Sequence, residues 1–269
     1  MSLRIQNNVE ALGAHLSLTQ TSDKIAKSME RLSTGYRINR AADDAAGLAI
    51  SERMRAQISG VQQANRNIQD GVSMVQTAEG NLDEVHSMLQ RVRELAVQYK
   101  NGTLSSDDQA AIQTEVNQLA SEIERIGSSA EFNGIKVLNA AVTITFQVGA
   151  NDSDSVGVGT ISLGASISSA VYALSSASNT DLADIDAAID AISSQRSTFG
   201  AVQNRFEHLM NGLSVYRENL VSSESRIRDV DMAEEMTQMT KYQILQQAGT
   251  SMLAQANQLP QSVLSLLRG

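Results

Sequence analysis

Histidines, cysteines and paired carboxylates build most metal sites and acid–base pairs, and this sequence holds few of them in a usable arrangement. It has no Cys, which removes thiol nucleophiles, disulfides and Cys-based zinc sites. Its three histidines, His15, His86 and His208, lie far apart, and none begins an HExxH or similar metal spacing. Asp152-Ser153-Asp154 starts like a calcium loop, but Val156, Gly157 and Leu163 stand where a ligand, a further turn residue and a bidentate Glu belong. Gly157-Val158-Gly159 lacks the third glycine and the helix start of a dinucleotide loop. Asp43-Asp44 could serve as acidic catalysts, yet such a pair also fits a helix start, where it complements the dipole. Asn101-Gly102-Thr103 and Asn151-Asp152-Ser153 match the glycosylation sequon, a pattern short enough to arise by chance. These pieces assemble into no catalytic or metal constellation, and no cofactor is implied.

The elements around them say more. The 269 residues include no Trp, one Pro and 3% aromatic residues, yet 42% hydrophobic residues. A compact core of this length usually draws much of its packing mass from large rings. Ala, Leu, Ile, Val and Met instead suit long helices packed side by side. With Lys+Arg 21 against Asp+Glu 30 and a formal net charge of −9, the chain lacks the clustered basic face that a nucleic-acid partner requires.

Two strict heptad rows dominate. The first is Met54, Val61, Ile68, Val75, Leu82, Leu89 and Ala96; the second is Ile185, Ile192, Phe199, Phe206, Leu213, Leu220 and Ile227. A seven-residue repeat keeps one seam facing a partner along a supercoil, so each row predicts one face of a coiled coil on a helix roughly 70–80 Å long. Ala64, Gly71 and Ala78 would let a partner backbone approach closely. Between the rows, Ser105 and Asp108 predict a capping box for a shorter helix with the stripe Ile112, Val116, Leu119, Ile123 and Ile126, stopping at Gly127. Asn101-Gly102 predicts the turn before it.

Asn133-Gly134 predicts a β-hairpin. The alternation Val142, Ile144, Phe146 and Val148 predicts a strand, with Val156 to Leu163 as its partner. At the ends, Ile5, Val9, Leu12 and Leu16 form one stripe, continued out of phase by Leu18, Ile25, Met29 and Leu32. Leu245, Met252, Leu259 and Leu266 form another, widened by Ala248, Leu253, Ala256 and Val263, with a local interruption expected at Pro260. Their polar faces carry amides and hydroxyls but little charge. One molecule cannot bury both stripes, so the ends are expected to pair antiparallel and to find cover in further copies of the chain. Residues 242–267 are uncharged but too rich in amides for a bilayer-spanning helix, so no membrane partner is expected. Residues 1–20 lack the apolar run of a cleaved signal peptide, which predicts a soluble chain or one exported without a cleaved leader. The fold class is mainly α: an elongated antiparallel helix bundle formed by both arms, with a small β-hairpin and loop excursion in the middle.

The stretch from Ser28 to Ser51 (SMERLSTGYRINRAADDAAGLAIS) closely resembles bacterial flagellin. The match continues through Gln69 to Gly80, Leu89 to Gln98 and Glu131 to Gly134. It resumes at Ser194 to Arg196, Gly200 to Arg205, Glu224 to Met232 and Met252 to Asn257, leaving roughly 140–179 unmatched. The short middle and the tail ending Leu266-Leu267-Arg268 look like the compact flagellins of Gram-positive bacteria. The resemblance implies a non-enzymatic filament subunit, extracellular, exported through the flagellar type III channel and polymerised beneath a cap. It implies residues 1–40 and 230–269 as inner core, 41–139 and 180–229 as the shell, and 140–179 as a variable middle. Polymerisation would fall to Ile5, Val9, Leu12, Leu16, Ile25, Leu245, Met252, Leu259 and Leu266. Implied partners are the chain itself, the cap and hook–filament junction proteins, a cytoplasmic flagellin chaperone, and the host Toll-like receptor for flagellin, through Arg91, Leu95 and Glu115. A hook–filament junction protein and a non-polymerising coiled-coil adhesin or receptor ligand are the alternative readings.

Overall fold

A computed structural model describes residues 8–167, 172–174 and 181–268, with the side chains of 165, 166 and 259–268 outside that description. In chain order it contains α1 (Val9–Thr34), α2 (Ala45–Tyr99), α3 (Ser106–Ser129), β1 (Glu131–Phe132), β2 (Ile135–Lys136), β3 (Thr143–Gln147), β4 (Ser155–Gly159), α4 (Leu163–Ser166), α5 (Asp181–Arg228) and α6 (Met232–Arg268). The fold is mainly helical, with two small antiparallel strand pairs. The chain divides into two units, one made of residues 57–219 and one made of both ends, 1–56 and 220–269.

In residues 57–219, α2 and α5 run antiparallel. Arg93 pairs with Asp186 and Asp83 with Arg196, so residue numbers rise along one helix as they fall along the other. Val61, Ile68, Val75, Leu82, Leu89 and Ala96 are all fully buried, as are Ile185, Ile192, Phe199 and Phe206. The second row then fades, with Leu213 only half-buried against the same core. Gly71 does not admit a partner backbone as its size suggested. A Cβ placed there would lie 3.0 Å from the Phe206 ring and 3.3 Å from Phe146, two rings that meet edge to face at 5.8 Å. The scarce aromatic mass of the chain is thus collected where a helix position gives it room.

The Ser105 hydroxyl accepts the Asp108 N–H and the Asp108 carboxylate accepts the Ser105 N–H, closing the capping box of α3. Gly127 does not stop this helix, which continues to Ser129. Its missing side chain instead leaves room for Leu163, whose Cβ would sit 3.3 Å from a Cβ at 127. β1 and β2 pair across Asn133 and Gly134, both at positive φ (48° and 78°), the backbone of a type I′ turn. β3 pairs with β4 from Thr143↔Gly159 to Gln147↔Ser155. The second strand ends at Gly159 rather than reaching Leu163, because Leu163 opens the short helix α4 and is buried beside α3.

In the unit formed by both ends, α1 and α6 also run antiparallel. The Asn8 amide donates to the Ala256 carbonyl at 2.8 Å, Lys24 lies over the Tyr242 ring, and Arg31 pairs with Glu235. α6 continues through Pro260 to Arg268, so the expected interruption does not break the helix. α1 ends at Gly35, whose φ of 76° lets its N–H return to the Arg31 carbonyl. Tyr36 then bridges to Asp229, flanked by Arg37 N–H to the Arg228 carbonyl and Val230 N–H to the Gly35 carbonyl.

Candidate functional site

On α1, the positions that face inward are Ala11, Ala14, Leu18, Thr21, Ile25 and Ser28, spaced three and four residues apart and buried or half-buried. On α6 they are Glu235, Gln238, Tyr242, Gln246, Gly249, Leu253 and Ala256. The seam mixes small residues with Leu18, Ile25, Tyr242, Leu253 and polar side chains; a Cβ at Gly249 would touch Leu18 at 3.4 Å. Other large aliphatics point the other way. Leu12 is 70% exposed, Val9 and Leu16 60% each, and Met252 64%, with Leu245, Ile244 and Met236 exposed beside it. Helices that solve their own burial put the large residues inside. Here the two arms bury small, polar and some large residues against each other and still present a row of large aliphatics outward.

The sequence-derived residues therefore divide. Val9, Leu12 and Leu16 on α1 and Leu245 and Met252 on α6 share outward faces, whereas Ile25 is half-buried, in phase with Leu18 and Ser28. Ile5 lies outside the described residues, and so do the side chains of Leu259 and Leu266. Two exposed residues on the same helix, Met236 and Ile244, were not in the expected row. The adjacent pair Ile244-Leu245 carried that signal, since one helix face cannot hold both at its centre. Of the shell rows, Met54 and Leu220 are half-buried and the members from Val61 to Leu89 and Ile185 to Phe206 are core.

The connector behind this surface is held by polar side chains. The Asp43 carboxylate accepts the N–H groups of Asn39 and Arg40 at 3.2 Å each and pairs with Lys27 at 2.6 Å. The Lys27 ammonium and those two N–H groups lower its pKa to about 2. Asp44 caps α2 by accepting the Gly47 N–H at 2.8 Å. The two neighbouring aspartates thus have separate duties, one bracketing the turn and one starting the helix. Arg228 stacks over the Tyr36 ring and donates to Glu52 at 2.6 Å, and Arg37 donates to the Ile227 carbonyl.

On α2 and α3, Arg91 donates to Glu115 at 3.0 Å and to Glu94 at 3.1 Å, and these carboxylates hold its guanidinium more firmly charged than usual. Leu95 is 2% exposed and belongs to the core beneath them. The open surface at this place is polar, made by Arg91, Glu94 and Glu115. His86 meets the Gln90 amide through Nε2 at 2.9 Å, and His15 and His208 are exposed. Among the described residues no helix is long and apolar enough to cross a membrane.

Comparison with known proteins agrees with this architecture. The bacterial flagellin N-terminal helical region matches residues 5–143 and the bacterial flagellin C-terminal helical region matches residues 182–267. A flagellin of Halalkalibacterium halodurans is 52% identical, covering 98% of this chain and 99% of that protein. A flagellin of Bacillus subtilis is 46% identical over 99% and 100%. The crystal structure of Bacillus cereus flagellin superposes with a TM-score of 0.51 and 29% identity, covering 55% of this chain and 88% of that one. The chain belongs to the bacterial flagellin family.

Proposed function

We propose that this chain, a structural subunit of the bacterial flagellar filament, polymerises through the outward faces of α1 and α6. Further copies of the chain would cover Val9, Leu12, Leu16, Leu245 and Met252, with Ile5, Leu259 and Leu266 extending the same rows. The observation that carries this reading is the row of large aliphatics left facing out of the helix pair, although its own seam already holds Leu18, Ile25 and Leu253. Fully burying one such side chain contributes about 1.5–3 kcal/mol, while association costs on the order of 4–15 kcal/mol in lost freedom. Several must be covered together before assembly is favourable. A lone subunit therefore stays dispersed and a growing end captures it.

In this reading residues 1–40 and 230–269 form the inner core of the filament, 41–139 and 180–229 its shell, and 140–179 a short variable middle region. The work done is assembly and force transmission rather than catalysis. The partners follow from that role: the filament cap, the hook–filament junction proteins, and a cytoplasmic chaperone for the C-terminal arm. The chain would act in an extracellular filament. A host Toll-like receptor would meet Arg91 and Glu115 directly, with Leu95 supporting them from the core.

Seeded sedimentation tests the assignment. Purified chain added to filament fragments is expected to pellet as lengthened filaments, and Leu12→Asp to remain in the supernatant. Full-length growth by Leu12→Asp refutes the face. A parental chain that adds a single layer to the fragments and then stops is a junction protein instead.

A further inference from the structure

Three Asn-Gly dipeptides occur in the chain: Asn101-Gly102, Asn133-Gly134 and Asn211-Gly212. Each presents an asparagine amide to a backbone nitrogen that no neighbouring Cβ shields, so their intrinsic chemistry is alike. The fold places them in three different backbones. We propose that Asn101 is a self-modification site, converted to aspartate and isoaspartate by intramolecular deamidation, while the fold protects the other two.

The reaction needs a free glycine N–H, a free asparagine side chain and rotation of the backbone between them. The Gly102 nitrogen, its proton taken by hydroxide, forms a bond to Cγ of Asn101. The Cγ–Nδ2 bond breaks, and the amide nitrogen leaves as ammonia after taking a proton from water. The resulting succinimide adds one water at either carbonyl, giving aspartate from one opening and isoaspartate from the other. Nothing is oxidised or reduced.

At 101 these conditions coincide. Asn101 and Gly102 are exposed in the turn between α2 and α3. The Gly102 N–H donates to no carbonyl, and the Asn101 side chain has no hydrogen bond among the described residues. A Cβ at Gly102 would meet nothing within 4 Å, so the space around the reacting nitrogen is open. Backbone bonds at Asn101 are few and exposed, its N–H to the Gln98 carbonyl at 3.0 Å and Leu104 N–H to its own carbonyl at 3.3 Å, outside any helix or strand.

The other two sites lack this freedom. Asn133 is fixed at φ 48° in the type I′ turn, with Phe132 paired to Ile135 and Lys136 to Glu131 on either side. Asn211 lies inside α5, where the Gly212 N–H is committed to the carbonyl four residues back. Ring closure at either requires local opening first. At 101 the product places a new carboxylate at the C-terminal end of α2, where the helix dipole disfavours negative charge. The isoaspartate form also lengthens the backbone between the helices that carry Arg91 and Glu115.

Incubating the full-length chain in mildly alkaline heavy-oxygen water, followed by digestion in ordinary water and peptide mass spectrometry, separates deamidation in the intact chain from that during digestion. Asn101 is expected to take up label about tenfold or more faster than Asn133 and Asn211, the spread that local opening energies produce. In urea the three rates are expected to converge. Equal rates in the folded chain, or the same ranking in urea, overturn the proposal. Gly102→Ala is expected to leave the circular dichroism unchanged and to slow labelling at Asn101; undiminished labelling there would show that the open space at 102 does not set the rate and overturns the proposal.

Discussion

The α2–α5 pair and the α1–α6 pair are both antiparallel helix pairs with heptad-like rows, yet they differ in how much of their large apolar mass they bury. In residues 57–219 the seam takes Leu82, Leu89, Ile192, Phe199 and Phe206, all buried. In the unit formed by the ends it mixes Ala11, Ala14, Thr21, Ser28 and Gly249 with the half-buried Leu18, Ile25, Tyr242 and Leu253, leaving Leu12, Leu16, Ile244 and Met252 outside. The first arrangement uses apolar mass to stabilise the chain itself. The second keeps part of that mass available for other molecules, holding its own helices together with close backbones and polar contacts such as Asn8 to the Ala256 carbonyl. In the proposed reading, stability and the drive to assemble reside in different residues, and substitutions should separate them.

The largest separation is expected from an acidic residue on an outward face. Leu12→Asp and Met252→Asp should abolish seeded growth, because covering an unpaired charge costs several kcal/mol. The denaturation midpoint of the unassembled chain should move by no more than about 0.5 kcal/mol equivalent, as for other exposed substitutions. A large fall in that midpoint would mean these side chains already serve the subunit's own fold, and the contrast between the two pairs would fail.

The converse substitution lies in the other pair. Phe206→Ala removes a ring packed against Phe146 and Gly71 and is expected to cost about 3–5 kcal/mol in guanidinium titration followed by circular dichroism. The outward faces of α1 and α6 are untouched by it. Below its unfolding midpoint, the variant should still elongate filament fragments.

Within the end unit, polar groups should matter more than their number suggests. Glu235 is buried, with Arg31 at 3.3 Å and the side chains 27% and 11% exposed. Arg31→Ala leaves that carboxylate without its cation and should cost about 1–3 kcal/mol. Double substitution with Glu235→Gln should recover part of the loss.

Asp43 gives a smaller effect that depends on pH. Its folded pKa of about 2 lies below the ordinary 3.8, so its contribution is complete above pH 3.8 and is lost as the pH falls from 3.8 towards 2. With the partner Lys27 half exposed and screened, that contribution is about 1 kcal/mol. Asp43→Asn should lower the midpoint at neutral pH and flatten its fall across this acid window. An unchanged acid slope would show that other carboxylates set it.

Much of this contrast was legible in the residues. The rows Val61 to Ala96 and Ile185 to Phe206 are strict sevens, and a strict seven has one physical meaning. The capping box at Ser105 and the turn at Asn133 depend on neighbours within four residues, which sequence states directly. The direction of the end stripes was harder. Val9, Leu12 and Leu16 look like a seam by period alone, and only pairing with α6 shows that Ala11, Ala14 and Leu18 occupy it. Ile25 fell on the opposite face for the same reason: the stripe changes phase near Leu18, and periodicity does not say which phase faces the partner. Gly127 and Gly71 were misread because a missing side chain looks the same whether it ends a helix, admits a backbone or admits a ring.

The smallest expected effect closes the comparison. Arg93 and Asp186 join α2 to α5 at 2.6 Å, closer than Arg31 and Glu235 join α1 to α6, yet both Arg93 and Asp186 are about half exposed (48% and 49%). Geometry alone would rank the shorter pair as the stronger. Solvent reverses the order: water replaces each partner of an exposed pair at little cost, whereas Glu235, 11% exposed, has little access to it. Arg93→Ala should therefore shift the midpoint only slightly at low salt and not measurably at high salt, where the Debye length falls to about 3 Å near 1 M. Arg31→Ala should keep most of its cost under the same conditions. If Arg93→Ala proved the more damaging and salt left it unchanged, the α2–α5 pair would depend on its rim charges as well as its core, and the division of labour between the two pairs would have to be redrawn.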